Sequence, residues 1–371
     1  MNTNKRKNQR RTMLGLLLSA ALMVPGLVPN HAVAQTTAAP SDILLPFSSP
    51  DQASVSPLAM VTILTGDPVA TRRFYAGALD MGSRNVSLSG AEAAAFAASL
   101  GLPPSQSLNV TVYSRPGLQG AAQIRVVEVA ADRPQARPAH DAQVMGPLSM
   151  GFPVRKVEDR SSMMTAYGWP ATAGVTSITL PMGDGTTYTV KETHFHAPDG
   201  VMSLGIDRAA LRPVGPIDPA LDIGGPAYVG IIVSDTKTMG VFLDKVLGFE
   251  KRRDIVLTSS GPTGGLALPA GTRFTFQQWF APGSSTGYLV VMQHLNAGRP
   301  APNGIGQGAR GIAGWSFESR DLTAVFERAR AHNTTVLSPI ARRLVPGLGM
   351  LRTLVLATPD GMPIEIIEAA R

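Results

Sequence analysis

The chain has 371 residues, of which 44% are apolar and 16% are charged, and it contains no cysteine. This length and composition exclude a disordered tail or a disulfide-rich mini-protein and allow two domains with substantial cores. The formal net charge of +7 would suit a polyanionic partner, so the position of the basic residues matters.

The first 34 residues have the order of a secretory signal peptide. Five basic residues at positions 5–11 precede an apolar run at 13–28 and the small residues Ala-Val-Ala at 32–34. The apolar run is too short to span a bilayer, so we predict cleavage after residue 34 and no stable membrane anchor. The protein is then periplasmic or secreted, and Arg10-Arg11 is compatible with the twin-arginine export route.

Loss of the leader changes the meaning of the charge. Removing its five positive charges lowers the net charge from +7 to +2, because residues 1–34 contain no acid. Only 6% of the residues are aromatic, so no basic, aromatic-lined stripe is left for a polynucleotide. We therefore predict no nucleic-acid partner.

Two stretches without apolar periodicity divide the rest of the chain. Residues 35–55, rich in Ala, Ser, Thr and Pro, predict a flexible tether. Residues 208–224 are rich in proline and predict a linker. The sequence thus predicts domain 1 at 56–207 and domain 2 at 225–371.

A strand-helix-glycine pattern begins each predicted domain. Each copy has a β-rich run, then an aspartate suited to cap a helix (Asp67 or Asp235), and then a glycine stop (Gly82 or Gly248). Weaker copies begin near Ser149 and Gly314, with helices at 160–167 and 322–332.

The copies also end alike. Four β-rich runs close them, at 124–128, 203–207, 289–293 and 364–368, and two of these follow a Pro-Asp-Gly turn. The sequence therefore predicts an α+β fold of four βαβββ modules, paired two per domain because a single module leaves one face of its sheet uncovered.

Two segments carry a resemblance to a known family. Residues 242–249 (FLDKVLGF) and 359–366 (PDGMPIEI) resemble the signatures of the vicinal oxygen chelate superfamily, which includes glyoxalase I, bleomycin-resistance proteins and extradiol dioxygenases. The resemblance covers nearly all of the chain after the leader and implies that each module pair forms a cup. In that family a histidine on the first strand and a glutamate on the last strand hold a divalent metal, an arrangement suited to imidazole and carboxylate ligands.

This chain departs from that ligand pattern. The four first-strand positions are Met60, Ser149, Tyr228 and Gly314, and the four last-strand positions are Arg125, Leu204, Val290 and Glu365. Glu365 is the only family-type ligand among these eight, so the cofactor stays unknown: a divalent metal is implied by the family, but its usual ligands are absent.

The run Glu192-x-His194-x-His196 offers an alternative. On a strand its three side chains share one face, where they would form weak metal ligands, together with Glu365, or an acid/base set. The competing interpretation is a polar outer face of a half-buried sheet.

The predicted domain 2 cup contains the acid/base set Tyr228, His294 and Glu365, which we predict as catalytic residues. The competing interpretation is a rim histidine and a structural glutamate. The predicted substrate-binding residues are Met292, Gly314 and Ser316 in that cup and Arg125 in domain 1, as a site for an anionic group.

Two functions follow as hypotheses. The first is an exported small-molecule enzyme, of isomerase, lyase or dioxygenase-like chemistry, acting on an apolar or aromatic oxygenated compound in the domain 2 cup. The second is a metal-free protein that binds or sequesters a hydrophobic small molecule. A homodimer is compatible with both.

Overall fold

The computed structural model describes residues 53–182, 185–208, 211–262, 265–306 and 308–369. The predicted signal peptide and all but the last three residues of the predicted tether lie outside these ranges. Within them the chain forms the four predicted βαβββ modules.

The two modules of the N-terminal half span residues 60–207. The first module contains β1 (Met60–Thr65), α1 (Pro68–Arg72), β2 (Gly82–Ser89), α2 (Gly90–Ser99), β3 (Ser107–Ser114) and β4 (Gln123–Glu128). The second contains β5 (Gly146–Pro153), α3 (Val157–Ala166), β6 (Ala171–Pro181), β7 (Thr187–His196) and β8 (Met202–Asp207).

The two modules of the C-terminal half span residues 228–368. The third module contains β9 (Tyr228–Ile232), α4 (Thr236–Val241), β10 (Glu250–Thr258), β11 (Arg273–Phe280) and β12 (Tyr288–His294). The fourth contains β13 (Gly311–Ser319), α5 (Leu322–Ala331), β14 (Val336–Val345), β15 (Gly349–Ala357) and β16 (Pro363–Glu368).

The modules pair differently from the sequence prediction. The first sheet has the strand order β14-β15-β16-β13-β1-β4-β3-β2, so it joins the first module to the fourth. The second sheet has the order β10-β11-β12-β9-β5-β8-β7-β6 and joins the second module to the third. The two modules of each half of the chain therefore lie in different sheets. The domain boundaries 56–207 and 225–371 stay a prediction.

The two segments that pass between the sheets explain this pairing. One segment follows β4 and the other precedes β13, and they run side by side through the parallel bridges Gln135↔Arg310 and Val144↔Arg299. Side chains reinforce them: Arg133 Nε donates to the carbonyl of Gly308 at 2.8 Å. Because the two crossovers bind each other, the first and last modules are brought to the same sheet.

The predicted linker has a different role from the one expected. It connects the second and third modules, which lie in one sheet, and its Val214 and Ile223 are 3% and 1% exposed. It is therefore a packed connection between two modules that share a sheet.

The helix starts follow the sequence prediction. Asp67 accepts a hydrogen bond from the Ala70 amide at 2.9 Å, and Asp235 accepts bonds from the amides of Lys237 and Thr238. A π-helical segment, Phe242–Leu247, continues α4, and Gly248 ends it with a φ of 73°. In the first module the prediction of Gly82 as the stop was wrong, because Asp80 takes the positive φ of 53° and Gly82 begins β2; a short polar side chain tolerates this conformation.

The largest apolar cluster lies on one face of both sheets. It contains Ile63 and Phe317 from the first sheet and Phe152 and Ile231 from the second, together with helix residues such as Phe242. The opposite face of each sheet is the concave face, or cup, that the family resemblance implies. Across the described ranges, no helix is long and apolar enough to cross a membrane.

Candidate functional site

The module pairing redistributes the predicted site residues between two cups. We call one face of the first sheet the first cup; it carries Thr62, Arg125, Ser316 and Glu365. We call one face of the second sheet the second cup; it carries Glu192, His194, Tyr228 and Tyr288. The predicted set Tyr228, His294 and Glu365 is thereby divided, because Glu365 lies on β16 of the first sheet. The three side chains do not form one site.

The first cup contains a buried ion pair at two of the metal-ligand positions. Arg125 Nη2 lies 2.9 Å from Glu365 Oε2, and their side chains are 2% and 14% exposed. The same carboxylate oxygen accepts a hydrogen bond from Ser316 Oγ at 2.7 Å, and Arg125 Nη2 donates to Thr62 Oγ1 at 2.8 Å. The guanidinium is therefore the cation that neutralises Glu365 in this cup.

Helix α2 covers this ion pair. Phe96, from α2, places its ring 4.8 Å from the Arg125 guanidinium carbon, and it packs with Leu88 of β2 and Val110 of β3 in one apolar cluster. Gly314 leaves no open space either, since a Cβ there would lie 3.1 Å from the Pro363 carbonyl oxygen. The chain's own side chains thus cover the first cup where Arg125 and Glu365 meet. The substrate roles of Gly314, Ser316 and Arg125 stay predictions.

The second cup is lined by a row of aromatic rings. The rings of Tyr228 and Tyr288 stack at 5.0 Å, and those of Tyr288 and Phe280 stack at 4.5 Å. Register explains the row, because Tyr228 and Tyr288 are direct partners on β9 and β12. We call these three residues the ring stack.

A glycine makes room for the first of these rings. Gly151 is the partner of Tyr228 on β5, and a Cβ at Gly151 would lie 1.9 Å from a Tyr228 ring carbon. The ring therefore lies directly over the β5 backbone, a position that any larger residue would block.

A histidine and a carboxylate meet in the same cup. His194 Nε2 lies 3.2 Å from Glu192 Oε2, and the side chains are 3% and 18% exposed. A proton on Nε2 would make this a hydrogen bond donated to the carboxylate and would leave Nδ1 as the acceptor nitrogen. Nδ1 is buried and has no hydrogen-bond partner among the described residues.

The strand face that carries Glu192 and His194 therefore points inward. His194 pairs with Leu204 of β8, and Leu204 belongs to the apolar cluster of the second cup. The competing interpretation of a polar outer face does not hold for these two residues, whose side chains are 18% and 3% exposed. Part of the connection between β10 and β11 covers them, since a Cβ at Gly265 would lie 2.3 Å from His194 Nε2.

The third residue of that run lies apart from the pair. His196 is exposed, and its ring stacks on His140 with centroids 3.9 Å apart. Desolvation first, and then the neighbouring His140 and His194, lower the pKa of His196 to about 4.

Burial keeps the tyrosines of the ring stack protonated. Desolvation and the charge of Glu192 raise the pKa of Tyr228 well above its usual value. Desolvation by burial is also the main cause that raises the pKa of Tyr288. Both hydroxyls therefore remain hydrogen-bond donors at neutral pH.

His294 lies at the far end of its strand from the ring stack. It is six residues beyond Tyr288 on β12, which is about 20 Å along the strand. Its Nε2 bonds to the carbonyl of Ala142 at 2.8 Å, and its ring packs edge-on against Phe274. The structure thus places His294 at the rim, away from Tyr228, whereas Met292 belongs to the apolar cluster of the second cup.

The residues do not fit the family's metal. No group of three or more His, Asp or Glu side chains within the described ranges is arranged to hold a metal ion. In the first cup Glu365 is bound to Arg125, and in the second cup only the Glu192 and His194 pair offers adjacent donors. A two-histidine, one-carboxylate centre has no counterpart at these positions.

Several lining residues were not predicted from the sequence. Tyr288 shares strand parity with Val290 and Met292, so alternation along β12 could have indicated it. Arg253 is 1% exposed and donates from Nε to Gln278 Oε1 at 3.1 Å. Arg208 follows β8 and places its guanidinium carbon 5.0 Å from the Tyr188 ring centroid.

Comparison with known proteins supports the predicted family resemblance. Residues 225–366 match the model of the Glyoxalase/Bleomycin resistance protein/Dioxygenase superfamily. No curated protein matches the sequence significantly.

Solved structures share the fold at low sequence identity. Glyoxalase I from Zea mays is similar with a TM-score of 0.56 and 13% identity, over 86% of this chain and 94% of that one. A putative dioxygenase from Bacillus subtilis is similar with a TM-score of 0.52 and 15% identity, over 86% and 87% of the two chains. The chain is thus similar to these proteins over both sheets.

The fold and the family match together define the class of protein. Residues 225–366 match the model of the glyoxalase, bleomycin-resistance and dioxygenase superfamily, and the four-module α+β fold extends through residues 60–368. The predicted resemblance to vicinal oxygen chelate proteins is confirmed.

Proposed function

We propose that this protein binds a small aromatic, oxygenated compound in the second cup, without a three-ligand metal centre. The observation that supports this proposal is the ring stack, a buried aromatic row that carries the hydroxyls of Tyr228 and Tyr288 on the cup face of the second sheet. Apolar walls with a few placed polar groups are typical of small-molecule sites. The first cup is not a competitor, because α2 and the ion pair of Arg125 and Glu365 fill it.

A neutral fluorescent probe tests this proposal. N-phenyl-1-naphthylamine should bind the purified protein and gain fluorescence, equally before and after treatment with a chelator. Tyr288→Leu should weaken binding about tenfold, because it removes the middle ring of the stack. Tyr167→Leu is the control, since Tyr167 is 50% exposed and lies outside the cup.

Loss of probe binding after chelation would contradict the metal-independent part of the proposal. Equal binding by the Tyr288 and Tyr167 variants would contradict the location of the site.

A second candidate function is acid/base catalysis in the same cup. It is favoured by the buried hydrogen bond between Glu192 and His194, because a carboxylate that holds a histidine by one nitrogen leaves the other nitrogen to accept a proton. Isomerase and lyase reactions use such a base. Ring cleavage by dioxygen would require a metal that these residues do not fit.

Solvent deuterium separates the two candidates. If the protein is an isomerase or lyase, aromatic hydroxy and keto compounds incubated with it in D2O should incorporate deuterium or change mass. His194→Gln should abolish this exchange while the neutral probe still binds. Probe binding with no exchange of any compound would leave sequestration, with Glu192 and His194 as binding groups.

A further inference from the structure

The second cup has a cationic group beside the ring stack. Arg208 continues the alternation of Met202, Leu204 and Ile206, all of which belong to the apolar cluster of this cup. Its guanidinium carbon lies 5.0 Å from the Tyr188 ring centroid, and its charge acts on Tyr288 of the ring stack. Arg208 therefore lies between the end of β8 and the aromatic row.

Arg208 has hydrogen-bonding capacity that the described residues do not use. Its Nε atom is buried and has no hydrogen-bond partner among them, and no ion pair joins Arg208 to a carboxylate within the described ranges. Stacking on Tyr188 is a favourable contact for a guanidinium but occupies none of its N–H donors. A planar fork of donors held flat on an aromatic ring is suited to bind a carboxylate in a bidentate manner.

Two further polar groups of the cup are hydrogen-bond donors. The hydroxyls of Tyr228 and Tyr288 stay protonated because burial raises the pKa of each phenol. Glu192 bonds to His194 at 3.2 Å, and this contact reduces the repulsion that its charge would exert on an anion. The cup is thus rich in donors on one side and aromatic on the other.

We infer that the ligand of the second cup is an aromatic carboxylate, whose ring lies along the ring stack and whose carboxylate is bound by Arg208. This inference rests on the proposed function, because it takes the second cup as the binding site. It adds the charge of the ligand and the residue that recognises it.

Two probes of equal shape separate charge from aromatic contact. The neutral dye N-phenyl-1-naphthylamine is bound first, and 2-naphthoate or 2-naphthamide is then used to displace it. These two compounds differ in the carboxylate and amide groups alone. The unaltered protein should bind 2-naphthoate at least tenfold more tightly than 2-naphthamide.

A pair of arginine variants locates the effect. Arg208→Gln should remove the preference for 2-naphthoate, bringing the ratio of the two affinities to about one, and the neutral dye measures whether the cup still binds an aromatic compound. Arg343→Gln is the matched control, because Arg343 bonds to Thr353 on the first sheet. It should keep the full preference.

Each outcome bears on a separate statement. Dye binding with equal affinities for the two naphthalene compounds would overturn the carboxylate inference and leave the proposed function intact. A preference that survives in Arg208→Gln would overturn the assignment to Arg208. Failure of all three probes to bind the unaltered protein would overturn the proposed function together with the inference. If Arg208→Gln does not fold, the affinity ratio in the unaltered protein still decides the charge of the ligand.

Discussion

Among single residues, Arg125 and Glu365 occupy two of the positions that hold metal ligands in the family. The guanidinium of Arg125 neutralises the largely buried carboxylate of Glu365. Arg125 comes from the first module and Glu365 from the fourth, so their 2.9 Å contact also joins the two halves of the first sheet. A buried pair of this kind costs desolvation free energy, and removing one partner leaves the other charge uncompensated.

A double-mutant cycle tests this pair. Arg125→Met should lower the free energy of unfolding by about 3 kcal/mol, because Glu365 is left buried without its cation. The double variant Arg125→Met with Glu365→Met should be more stable than the sum of the two single effects predicts. Urea unfolding of the four proteins measures the coupling, and strictly additive effects would contradict a direct interaction.

His196 gives a prediction about pH. The unfolded chain binds a proton on this imidazole near the ordinary pKa of 6.5, whereas in the folded protein desolvation, His140 and His194 lower the pKa to about 4. The unfolded state therefore binds more protons between these values, and the free energy of unfolding should decrease as the pH falls from about 6.5 to about 4.

Thermal unfolding at pH 7, 6, 5 and 4.5 measures this dependence. His196→Gln should reduce this dependence of stability on pH. His332→Gln, which removes an exposed histidine directly after α5, should leave it unchanged. An unchanged slope in the His196 variant would assign the pH dependence to other groups.

Among the structural elements, the two Pro-Asp-Gly turns join the sheets. Asp199, before β8 of the second sheet, accepts a hydrogen bond from Thr65 Oγ1 of the first sheet at 2.5 Å and lies 3.1 Å from Arg310 Nη1. Asp360, before β16 of the first sheet, accepts from Ser234 N after β9 of the second sheet at 3.2 Å. The repeated turn thus makes an equivalent contact twice.

The two turns should differ in how much they stabilise the protein. Asp199→Asn should lower the free energy of unfolding by about 3 kcal/mol, because the Asp199 side chain is 2% exposed and paired with Arg310. Asp360→Asn is the control and should cost about 0.5 kcal/mol, since its contact is exposed. Asparagine tolerates the φ of 60° at Asp199, so the comparison isolates the charge, and equal effects would contradict it.

The length of one connection in each module determines which segment covers each cup. In the first and third modules the second and third strands are joined by long connections. The first contains α2, and the described part of the third comprises residues 259–262 and 265–272. Each sheet pairs one such module with a module whose corresponding turn is short. Each cup therefore receives a single covering segment, and in the first cup that segment is a packed helix.

At the scale of the whole molecule, the leader predicted from residues 1–34 gives a prediction about export. Expressed in bacteria, the full chain should be recovered from the periplasmic fraction or the medium with Gln35 as its first residue. Replacing Arg10 and Arg11 by Lys should retain it in the cytoplasm if the twin-arginine route is used. Cytoplasmic protein that still begins at Met1 would contradict the predicted export.

The sequence predicted the modules well because their signals are local. Helix caps at Asp67 and Asp235, the stop at Gly248 and the closing strands each depend on a few neighbouring residues. The site was predicted less well. Tyr228 and Met292 were placed in a cup correctly, but His294 was assigned a role that its bond to Ala142 does not support.

The sequence by itself therefore determined the repeated α+β modules, their order and the loss of the family's ligands, because these depend on residue identity and short-range periodicity. The tertiary structure alone decided which modules share a sheet. That pairing depends on crossovers about 170 residues apart in the chain, which no local pattern reveals. It separated Glu365 from Tyr228, brought Arg125 to Glu365, and turned Glu192 and His194 toward the ring stack.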